Sequence, residues 1–289
     1  MSKNILLLAA SLSEITVSPP IKAIQVGCAL SEHRFPNMLY DDIGINISEK
    51  NPYYCELTAQ YWAWKNTQSD FIGFLHHRRY FSFEENKICD LTHKRKVRPY
   101  SIFHVPNDET LCRIHFSAAN LERMTEQYDI IAPTAENIHE TIIQQYNRCE
   151  KPKTDEMTTI QKLIMEHYPQ YCQAAQDYLN GKNAYFCNLF IMRRDLFEDY
   201  CTWLFELLER MDGLRSENER CLRDDGKIAE RLFGIYFTFI KQTNRFRWAE
   251  VPRVHFSDLD GASKNQSFNR FWYFIAPPGS VRRAILRRL

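Results

Sequence analysis

Short apolar runs alternate with longer amphipathic segments along most of this 289-residue chain. The apolar runs predict strands, and the segments between them, with apolar residues at helical spacing, predict helices. Strands separated by helices are typical of an α/β domain with a central, mostly parallel or mixed sheet flanked by helices. We predict strands at residues 5–9, 70–75, 128–133, 184–192 and 248–256, and helices at 51–64, 119–127, 136–147, 155–180 (with a break near Pro169), 195–211 and 226–241.

The helix that begins at Asn51 has the clearest start signal. Asn followed by Pro is typical of an N-cap and a first helical position, so we expect Asn51 to cap this helix. Its apolar residues recur at helical spacing and predict a buried stripe. They are Tyr54, Leu57, Tyr61 and Trp64.

Composition excludes several classes of protein. A hydrophobic fraction of 44% argues against disorder, and a formal net charge of +1 means that any anion must be bound by a local cluster. Nine cysteines without a CxxC pair predict reduced thiols rather than disulfides or a zinc site. We find no signal peptide and no run near the roughly 20 apolar residues of a membrane span, so we expect a cytoplasmic protein.

A cluster of basic residues follows the predicted strand at 70–75. His76, His77, Arg78 and Arg79 come in succession before Tyr80. Ligands of open α/β sheets bind at the carboxyl ends of strands, and arginine matches the oxygens of a phosphate or diphosphate. The alternative is a solvated loop with surface ion pairs, and zinc is disfavoured because adjacent histidines on a strand point in opposite directions.

Two further segments carry polar residues suited to a site. Residues 39–51 form a loop before the helix at Asn51, and its polar side chains could bind sugar hydroxyls, with turn formation and helix capping as the alternative. In the helix at 226–241, Glu230 lies off the apolar stripe beside Arg231, where a carboxylate could act as a general base. The alternative there is an exposed ion pair, with the acidic residues at the helix start interacting with its dipole.

Two segments break the alternating pattern. Residues 88–116 contain HKRKVRPY and lack clear periodicity, which predicts a basic inserted loop. Residues 258–289 combine an aromatic cluster with arginines on a short amphipathic stretch, as expected for a segment that binds an anionic membrane surface. The alternative is a disordered tail or one that contacts another copy of the chain. The residues expected at the membrane are Trp272, Arg282, Arg283, Arg287 and Arg288.

Several linked motifs are similar to those of one bacterial family. They occur in the family's order over roughly residues 21–255, and they are DDIGINISEKNPYYCELTAQYWAWKN, DFIGFLHHRRYF, YDIIAP, NLFIMRRDLFEDYCTWLFELL and GKIAERLFGIYF. The chain therefore resembles the glycosyltransferases of capsule, exopolysaccharide and O-antigen gene clusters. That family was catalogued as a domain of unknown function (DUF4422-type) and later assigned as galactofuranosyltransferases.

The resemblance implies a GT-A-like, nucleotide-sugar-binding fold over residues 1–257. It implies transfer of galactofuranose, with inversion, from UDP-galactofuranose to a lipid-linked glycan, by a protein peripheral on the inner face of the cytoplasmic membrane. Inversion needs a base for the acceptor hydroxyl, for which we expect Glu230, with Asp225 and Asp42 as alternatives. Glu56, Tyr61, Trp62 and Gly226 also match family motifs. For the donor and its diphosphate we expect His76, Arg78, Arg79, Tyr80, Asp41, Asn46, Ser48, Lys50, Asn188 and Arg231.

The chain departs from the family pattern in three places. It has Ile45 where an acidic residue is frequent, His77 where tyrosine is frequent, and Ala9, Ala10 and Ser11 where Thr-His-Lys is usual. The last difference puts nucleotide contacts at the first strand in doubt. In many GT-A enzymes an Asp-x-Asp motif holds a metal on the diphosphate, whereas this chain has the basic cluster at the corresponding strand end. We therefore expect no metal cofactor, with Mn²⁺ or Mg²⁺ as the alternative.

Two other functions remain open from the sequence. One keeps the fold and changes the sugar, with a pyranose transferred from UDP-galactose or UDP-glucose. The other is a non-catalytic RNA-binding module that uses residues 93–100, although near-neutral charge and the absence of an RNA-binding motif count against it. We expect no nucleic-acid partner, and the sequence leaves homo-oligomerisation open.

Overall fold

The computed structural model describes residues 3–150, 155–216 and 221–257. Short 3₁₀ helices lie at Cys28–Leu30, Ser48–Lys50, Glu85–Lys87 and Pro169–Tyr171. The helices are α1 (Asn51–Tyr54), α2 (Leu57–Asn66), α3 (Asp108–Arg113), α4 (Ala118–Gln127), α5 (Ile142–Glu150), α6 (Glu156–His167), α7 (Cys172–Leu179), α8 (Arg194–Leu214) and α9 (Asp224–Thr243). The strands are β1 (Ile5–Ser11), β2 (Ile21–Gln25), β3 (Leu39–Tyr40), β4 (Phe71–Leu75), β5 (Arg79–Phe81), β6 (Cys89–Asp90), β7 (Tyr100–Phe103), β8 (Ile130–Pro133), β9 (Glu136–Asn137), β10 (Asn183–Ala184), β11 (Phe190–Arg193), β12 (Trp248–Val251) and β13 (Arg253–Phe256).

A mixed sheet forms the centre of the described residues. Its strand order is β3-β2-β1-β4-β11-β8-β12-β6. Strands β1 to β4 are mutually parallel, β11 is antiparallel to both β4 and β8, and β12 is parallel to β8. The carboxyl ends of β1, β2, β4, β8 and β12 therefore lie at one edge of the sheet. A second sheet, β5-β13-β7, follows that edge, and β9 pairs with β10.

The sheet is buried on both faces, as its apolar strands predict. In β1, Leu6 and Leu8 belong to the core that packs with the helices α6 to α9, while Leu7 and Ala9 belong to the core on the opposite face. In β4, Gly73 lies where an added Cβ would be 2.5 Å from the Leu7 side chain and 2.8 Å from that of Ile191. The glycine therefore permits close packing with both neighbouring strands.

Most predicted elements are present, and three boundaries differ for physical reasons. The helix predicted from 136 starts at Ile142, because Glu136 and Asn137 pair with β10 instead. The strand predicted at 184–192 is shortened to β11, because the positive φ values of Cys187 and Asn188 interrupt the extended backbone. The strand predicted at 248–256 is divided at Pro252, whose nitrogen cannot donate to a ladder, so β12 and β13 join different sheets. The predicted break near Pro169 is confirmed by the 3₁₀ turn between α6 and α7.

Asn51 is not an N-cap, contrary to expectation. The 3₁₀ turn Ser48–Lys50 leads directly into α1, whose N-cap position is Lys50. The amide Nδ2 of Asn51 instead donates to the Cys55 carbonyl at 2.8 Å and to Thr58 Oγ1 at 3.3 Å. These bonds stabilise a break between α1 and α2, where Cys55 has a positive φ of 51°.

The segment 88–116 is structured rather than a simple loop. Its β6 extends the main sheet beside β12, its β7 pairs with β13, and α3 follows. The predicted membrane-associating tail, 258–289, lies outside the described residues. Within the described residues no helix is both long and apolar enough to cross a membrane. All nine cysteines are free thiols.

Candidate active site

The predicted cationic cluster lies at the carboxyl end of β4. After Leu75 the chain turns, with the Arg79 N–H donating to the His76 carbonyl at 2.8 Å, and continues as β5. This hairpin turn places His76, His77, Arg78 and Arg79 at the sheet edge where ligands of α/β proteins bind. All four residues are half-buried. The turn is therefore positioned as the sequence predicts.

Arg78 and Arg79 give this turn positive charge, to which His76 does not add. Burial, together with the positive charge of Arg79, lowers the pKa of His76 to about 2. The His76 ring is therefore neutral at physiological pH, with Nδ1 accepting a hydrogen bond from the Arg78 N–H at 3.1 Å. The His77 ring stacks on it at 4.3 Å between centroids. No described carboxylate is in ion-pair contact with Arg79, so this cation is available to an anionic ligand.

Tyr80 occupies a different position from the rest of the motif. It is fully buried and packs against the rings of Phe116 and Phe256. Its hydroxyl oxygen accepts a hydrogen bond from the Ser18 N–H at 3.2 Å. Tyr80 thus anchors the turn to the core, and its side chain does not join the group at the sheet edge.

The segment before β11 has an unusual backbone at the same edge. Cys187 and Asn188 have positive φ values of 76° and 48°, a conformation that costs free energy for residues other than glycine. The Cys187 N–H donates to Glu230 Oε1 at 2.6 Å. Asn188 Nδ2 donates to Glu56 Oε1 at 2.9 Å and to the Gly226 carbonyl at 3.1 Å. The strained segment therefore hydrogen-bonds both to Glu230 of α9 and to Glu56 at the α1–α2 junction.

Asn188 has an unsatisfied acceptor at this junction. The residue is 2% exposed, and its Oδ1 has no hydrogen-bond partner among the described residues. An unpaired buried amide oxygen costs free energy unless a donor reaches it. A ligand hydroxyl is one group that could supply the missing hydrogen bond.

Glu56 was not among the predicted catalytic residues, although it matches a family motif. It lies immediately before α2, in the break that Cys55 creates. Burial raises the pKa of its carboxyl group, opposed by the hydrogen bond from Asn188 and reinforced by the charge of Glu230. Glu56 Oε1 accepts from Asn188, and the carboxylate also accepts from the backbone N–H of Glu56 itself. A carboxylate with a raised pKa has the properties of a general base.

Gly226 allows the two helical segments to approach each other here. A Cβ at Gly226 would lie 3.1 Å from the Cβ and 3.2 Å from the Sγ of Cys55. The first turn of α9 therefore packs directly on the α1–α2 junction. This contact brings Glu56 and Glu230, 174 positions apart in sequence, into electrostatic interaction.

Two residues that the sequence did not indicate, Arg253 and Glu136, lie at the same edge of the sheet. Arg253, in β13, donates to Glu136 Oε1 through Nη2 and to Cys187 Sγ at 3.1 Å through Nη1. Burial raises the pKa of Glu136, and the cations Arg253 and Arg79 oppose that rise. Burial likewise raises the pKa of the Cys187 thiol, which is therefore protonated at neutral pH. Arg79 and Arg253 thus lie close to Glu136 and Cys187 at the edge of the sheet.

Arg231 and Asp225 have partners within the helical layer. Arg231 is 3% exposed and donates to Glu230 Oε2 and to Gln145 Oε1, both at 2.8 Å. Asp225 is fully buried and accepts from Arg215 Nη1 at 2.8 Å. Arg231 therefore orients Glu230, and Asp225 belongs to an interior ion pair.

The polar residues of the loop 39–51 have partners within the protein, some inside the loop and some in neighbouring segments. Asp41 is fully buried and accepts from the N–H groups of Gly27 and Cys28 and from Ser48 Oγ. Asp42 forms an ion pair with Arg34 at 2.5 Å. The remaining contacts are those of Asn46 with the carbonyls of Asp42 and Gly44, Ser48 with Asn46 Oδ1, and Lys50 with Asp212 at 3.9 Å. Turn formation accounts for the contacts of Asn46, and the others fix the loop to neighbouring segments of the chain.

One group in this loop brings metal-type ligand atoms together. Cys28, Asp41 and Asp42 have ligand atoms within 4.8 Å of one another. Three donors already fill the Asp41 carboxylate, and burial raises the pKa of the Cys28 thiol to about 11. A protonated thiol is a poor metal ligand, so this donor set does not fit a metal.

Comparison with known proteins gives one family and one similar structure. Residues 4–242 match the model of a family described as a domain of unknown function, DUF4422. The apo structure of WbbM, a bifunctional glycosyltransferase, is similar to this chain with a TM-score of 0.77 and 29% sequence identity. The likeness covers 88% of this chain and 45% of the WbbM chain, so this chain spans less than half of that protein. No curated protein matches. The similarity to WbbM confirms the predicted GT-A-like α/β fold.

Proposed function

The chain belongs to the DUF4422 family, and on that premise we propose that it is a glycosyltransferase of cell-surface polysaccharide synthesis. The observation that carries the proposal is that Arg79 of the turn and Glu230 both act electrostatically on Glu136 and Cys187, while Cys187 and Asn188 hydrogen-bond to Glu230 and Glu56. A cationic turn suits a nucleoside diphosphate, and a carboxylate of raised pKa suits an acceptor hydroxyl. The similarity to a bifunctional glycosyltransferase supports the same function.

The proposed reaction is a single displacement with inversion. The acceptor hydroxyl oxygen attacks the anomeric carbon of the donor, and the new glycosidic C–O bond forms as the bond to the diphosphate breaks. The bonding electrons leave with the β-phosphate oxygen of UDP, and the hydroxyl proton passes to a carboxylate. Arg78 and Arg79 would stabilise the negative charge that develops on the departing diphosphate. Preorganised cations could thereby take the place of a metal, and activity that survives EDTA would support this assignment.

Two carboxylates could accept the proton. The sequence predicts Glu230, but its oxygens accept from the Cys187 N–H and from Arg231. Both of its carboxylate oxygens are therefore already engaged by protein donors. Glu56 accepts one side-chain hydrogen bond, from Asn188, and its pKa is raised by burial. The geometry therefore favours Glu56 as the base and Glu230 as the residue that holds the strained Cys187–Asn188 backbone.

We further propose UDP-galactofuranose as the donor and a lipid-linked glycan as the acceptor, at the inner face of the cytoplasmic membrane. These assignments rest on the sequence resemblance. They are tested by incubating the full chain with UDP-galactofuranose, UDP-galactose or UDP-glucose and a panel of acceptors with lipid-like aglycones. Product detected by mass spectrometry only with the furanose donor would support the proposal. Equal or better transfer from a pyranose donor would contradict the choice of sugar, and no transfer from any donor would contradict the function.

A further inference from the structure

A basic groove lies beside the candidate active site. It has a volume of about 950 Å³, and its lining consists of Asn86, Lys87, residues 95–102 and Pro252. Four basic residues, Lys87, Arg95, Lys96 and Arg98, contribute to this lining, which contains no Asp or Glu. We call it the basic groove. Its volume is within the range of about 300–1,000 Å³ that is typical of ligand pockets.

The four cations differ in their availability. Lys87 pairs with Glu84 at 2.6 Å, and Arg95 donates to the Glu85 carbonyl at 2.5 Å. Lys96 and Arg98 are exposed, and neither pairs with a carboxylate among the described residues. Two cations without counter-charges in a concave surface attract an anion more strongly than the same charges on a convex surface.

Arg253 of β13 links the groove to the candidate active site. Tyr100 lines the groove, and the guanidinium of Arg253 lies 5.8 Å from the centre of its ring. The same guanidinium donates to Glu136 and to Cys187 in the catalytic cluster. The backbone N–H of Arg253 also donates to the Pro99 carbonyl at 2.9 Å. A molecule in the groove would therefore extend toward the reacting centre.

We propose that the basic groove binds a negatively charged part of the acceptor, either a carboxylate or a phosphate on its glycan. This inference rests on the proposed function and adds the acceptor's chemical class. The donor diphosphate already has the arginine turn at the end of β4 as its counter-charge, which leaves the groove to the other substrate. Arginine and lysine beside a tyrosine ring suit an acidic sugar, since the ring can pack on a sugar face while the cations bind its charge.

The test uses binding rather than turnover. The probes are a disaccharide that carries glucuronic acid, the same disaccharide with glucose in its place, and the glucose form bearing a phosphomonoester. Their dissociation constants are measured by NMR titration with the full chain and with the variant Lys96→Ala/Arg98→Ala. The control variant is Lys94→Ala, an exposed cation of the same segment outside the groove lining. UDP binding is measured in parallel for each protein.

We expect at least one acidic disaccharide to bind roughly tenfold more tightly than the neutral one, the scale of one charge-assisted hydrogen bond. The double variant should lose this preference, Lys94→Ala should keep it, and salt should weaken it. Which acidic probe is preferred distinguishes carboxylate from phosphate. UDP should bind all three proteins equally.

Three outcomes would overturn the proposal. The first is equal affinity of the wild type for acidic and neutral probes. The second is a preference for acidic probes that survives in the double variant. The third is a loss of that preference in Lys94→Ala as large as in the double variant. Loss of binding to anionic vesicles or to single-stranded RNA in the double variant, without a change for the disaccharides, would assign the groove to a membrane or a nucleic acid instead. Binding of an acidic probe by a chain that does not bind UDP would support the groove and contradict the proposed donor.

Discussion

Burial of the Glu56 carboxyl group is expected to favour transfer and to lower the free energy of unfolding. Its carboxyl pKa is raised in the folded protein, so between the ordinary glutamate value of about 4.3 and the raised value the folded state binds more protons than the unfolded state. The free energy of unfolding therefore falls as pH rises through that range. A glutamine at this position has the same side-chain shape and cannot ionise. It therefore removes this pH-dependent loss of stability.

We predict that Glu56→Gln lowers the rate of transfer by roughly 10²–10⁴-fold, the usual contribution of a general base. Its free energy of unfolding should equal or exceed that of the wild type at pH 8, with a smaller difference at pH 5. The matched variant is Glu230→Gln. It removes the negative charge that pairs with the buried Arg231 and should therefore lower stability. Urea denaturation at both pH values, together with donor turnover, separates the two. Normal turnover in Glu56→Gln would remove Glu56 as the base.

The arginine turn allows a second prediction for single residues. Arg78→Ala and Arg79→Ala should each lower the rate of transfer by roughly 10²–10³-fold if the side chains stabilise the leaving diphosphate. Added Mn²⁺ or Mg²⁺ should change wild-type turnover little. The control is Arg148→Ala, since Arg148 forms an exposed ion pair with Glu140, and it should leave turnover unchanged. Loss of wild-type activity in EDTA, restored by metal, would contradict the assigned role of the arginines.

At the scale of elements, the contact between α7 and α9 depends on a glycine. A Cβ at Gly234 would lie 1.9 Å from the ring of Tyr178, whose hydroxyl oxygen accepts from the Tyr185 N–H. Gly234→Ala must displace this buried ring and should lower the free energy of unfolding by about 1–3 kcal/mol. Gly213, in α8, has no atom within 4 Å of an added Cβ. Gly213→Ala should therefore raise stability by up to about 1 kcal/mol. Urea denaturation gives both values, and equal effects would contradict the packing argument.

Local sequence patterns predicted the elements better than they predicted the site. Residues 5–9 and 70–75 are continuous apolar runs, and a run of this kind has few alternatives to a buried strand. The turn at Arg79 followed from its place directly after such a strand. By contrast, Glu136 and Arg253 are 117 positions apart and meet only because β13 follows the sheet edge. No local pattern contains that information.

In the polar loop before α1, side chains that the sequence predicted to bind a ligand bind protein groups instead. Asp41 and Ser48 have side chains suited to a ligand, yet they bind each other at 2.6 Å in the interior. Asn51 resembles an N-cap, yet its amide stabilises the break that positions Glu56. Side-chain type alone cannot distinguish a group that binds a ligand from one that supports the backbone, because both uses need the same hydrogen-bonding atoms.

At the scale of the whole molecule, positive charge is concentrated in separate regions although the formal net charge is only +1. We propose that the basic groove serves the acceptor and that the arginines of residues 258–289 serve an anionic membrane surface. Each basic residue near such a surface contributes on the order of 1 kcal/mol. Replacing Arg282, Arg283, Arg287 and Arg288 together by alanine should therefore lower binding to vesicles with anionic lipids by at least tenfold. UDP binding should not change. Sedimentation with vesicles measures the loss, the variant Lys96→Ala/Arg98→Ala should sediment like the wild type, and unchanged sedimentation of the quadruple variant would show that the tail arginines do not bind the membrane.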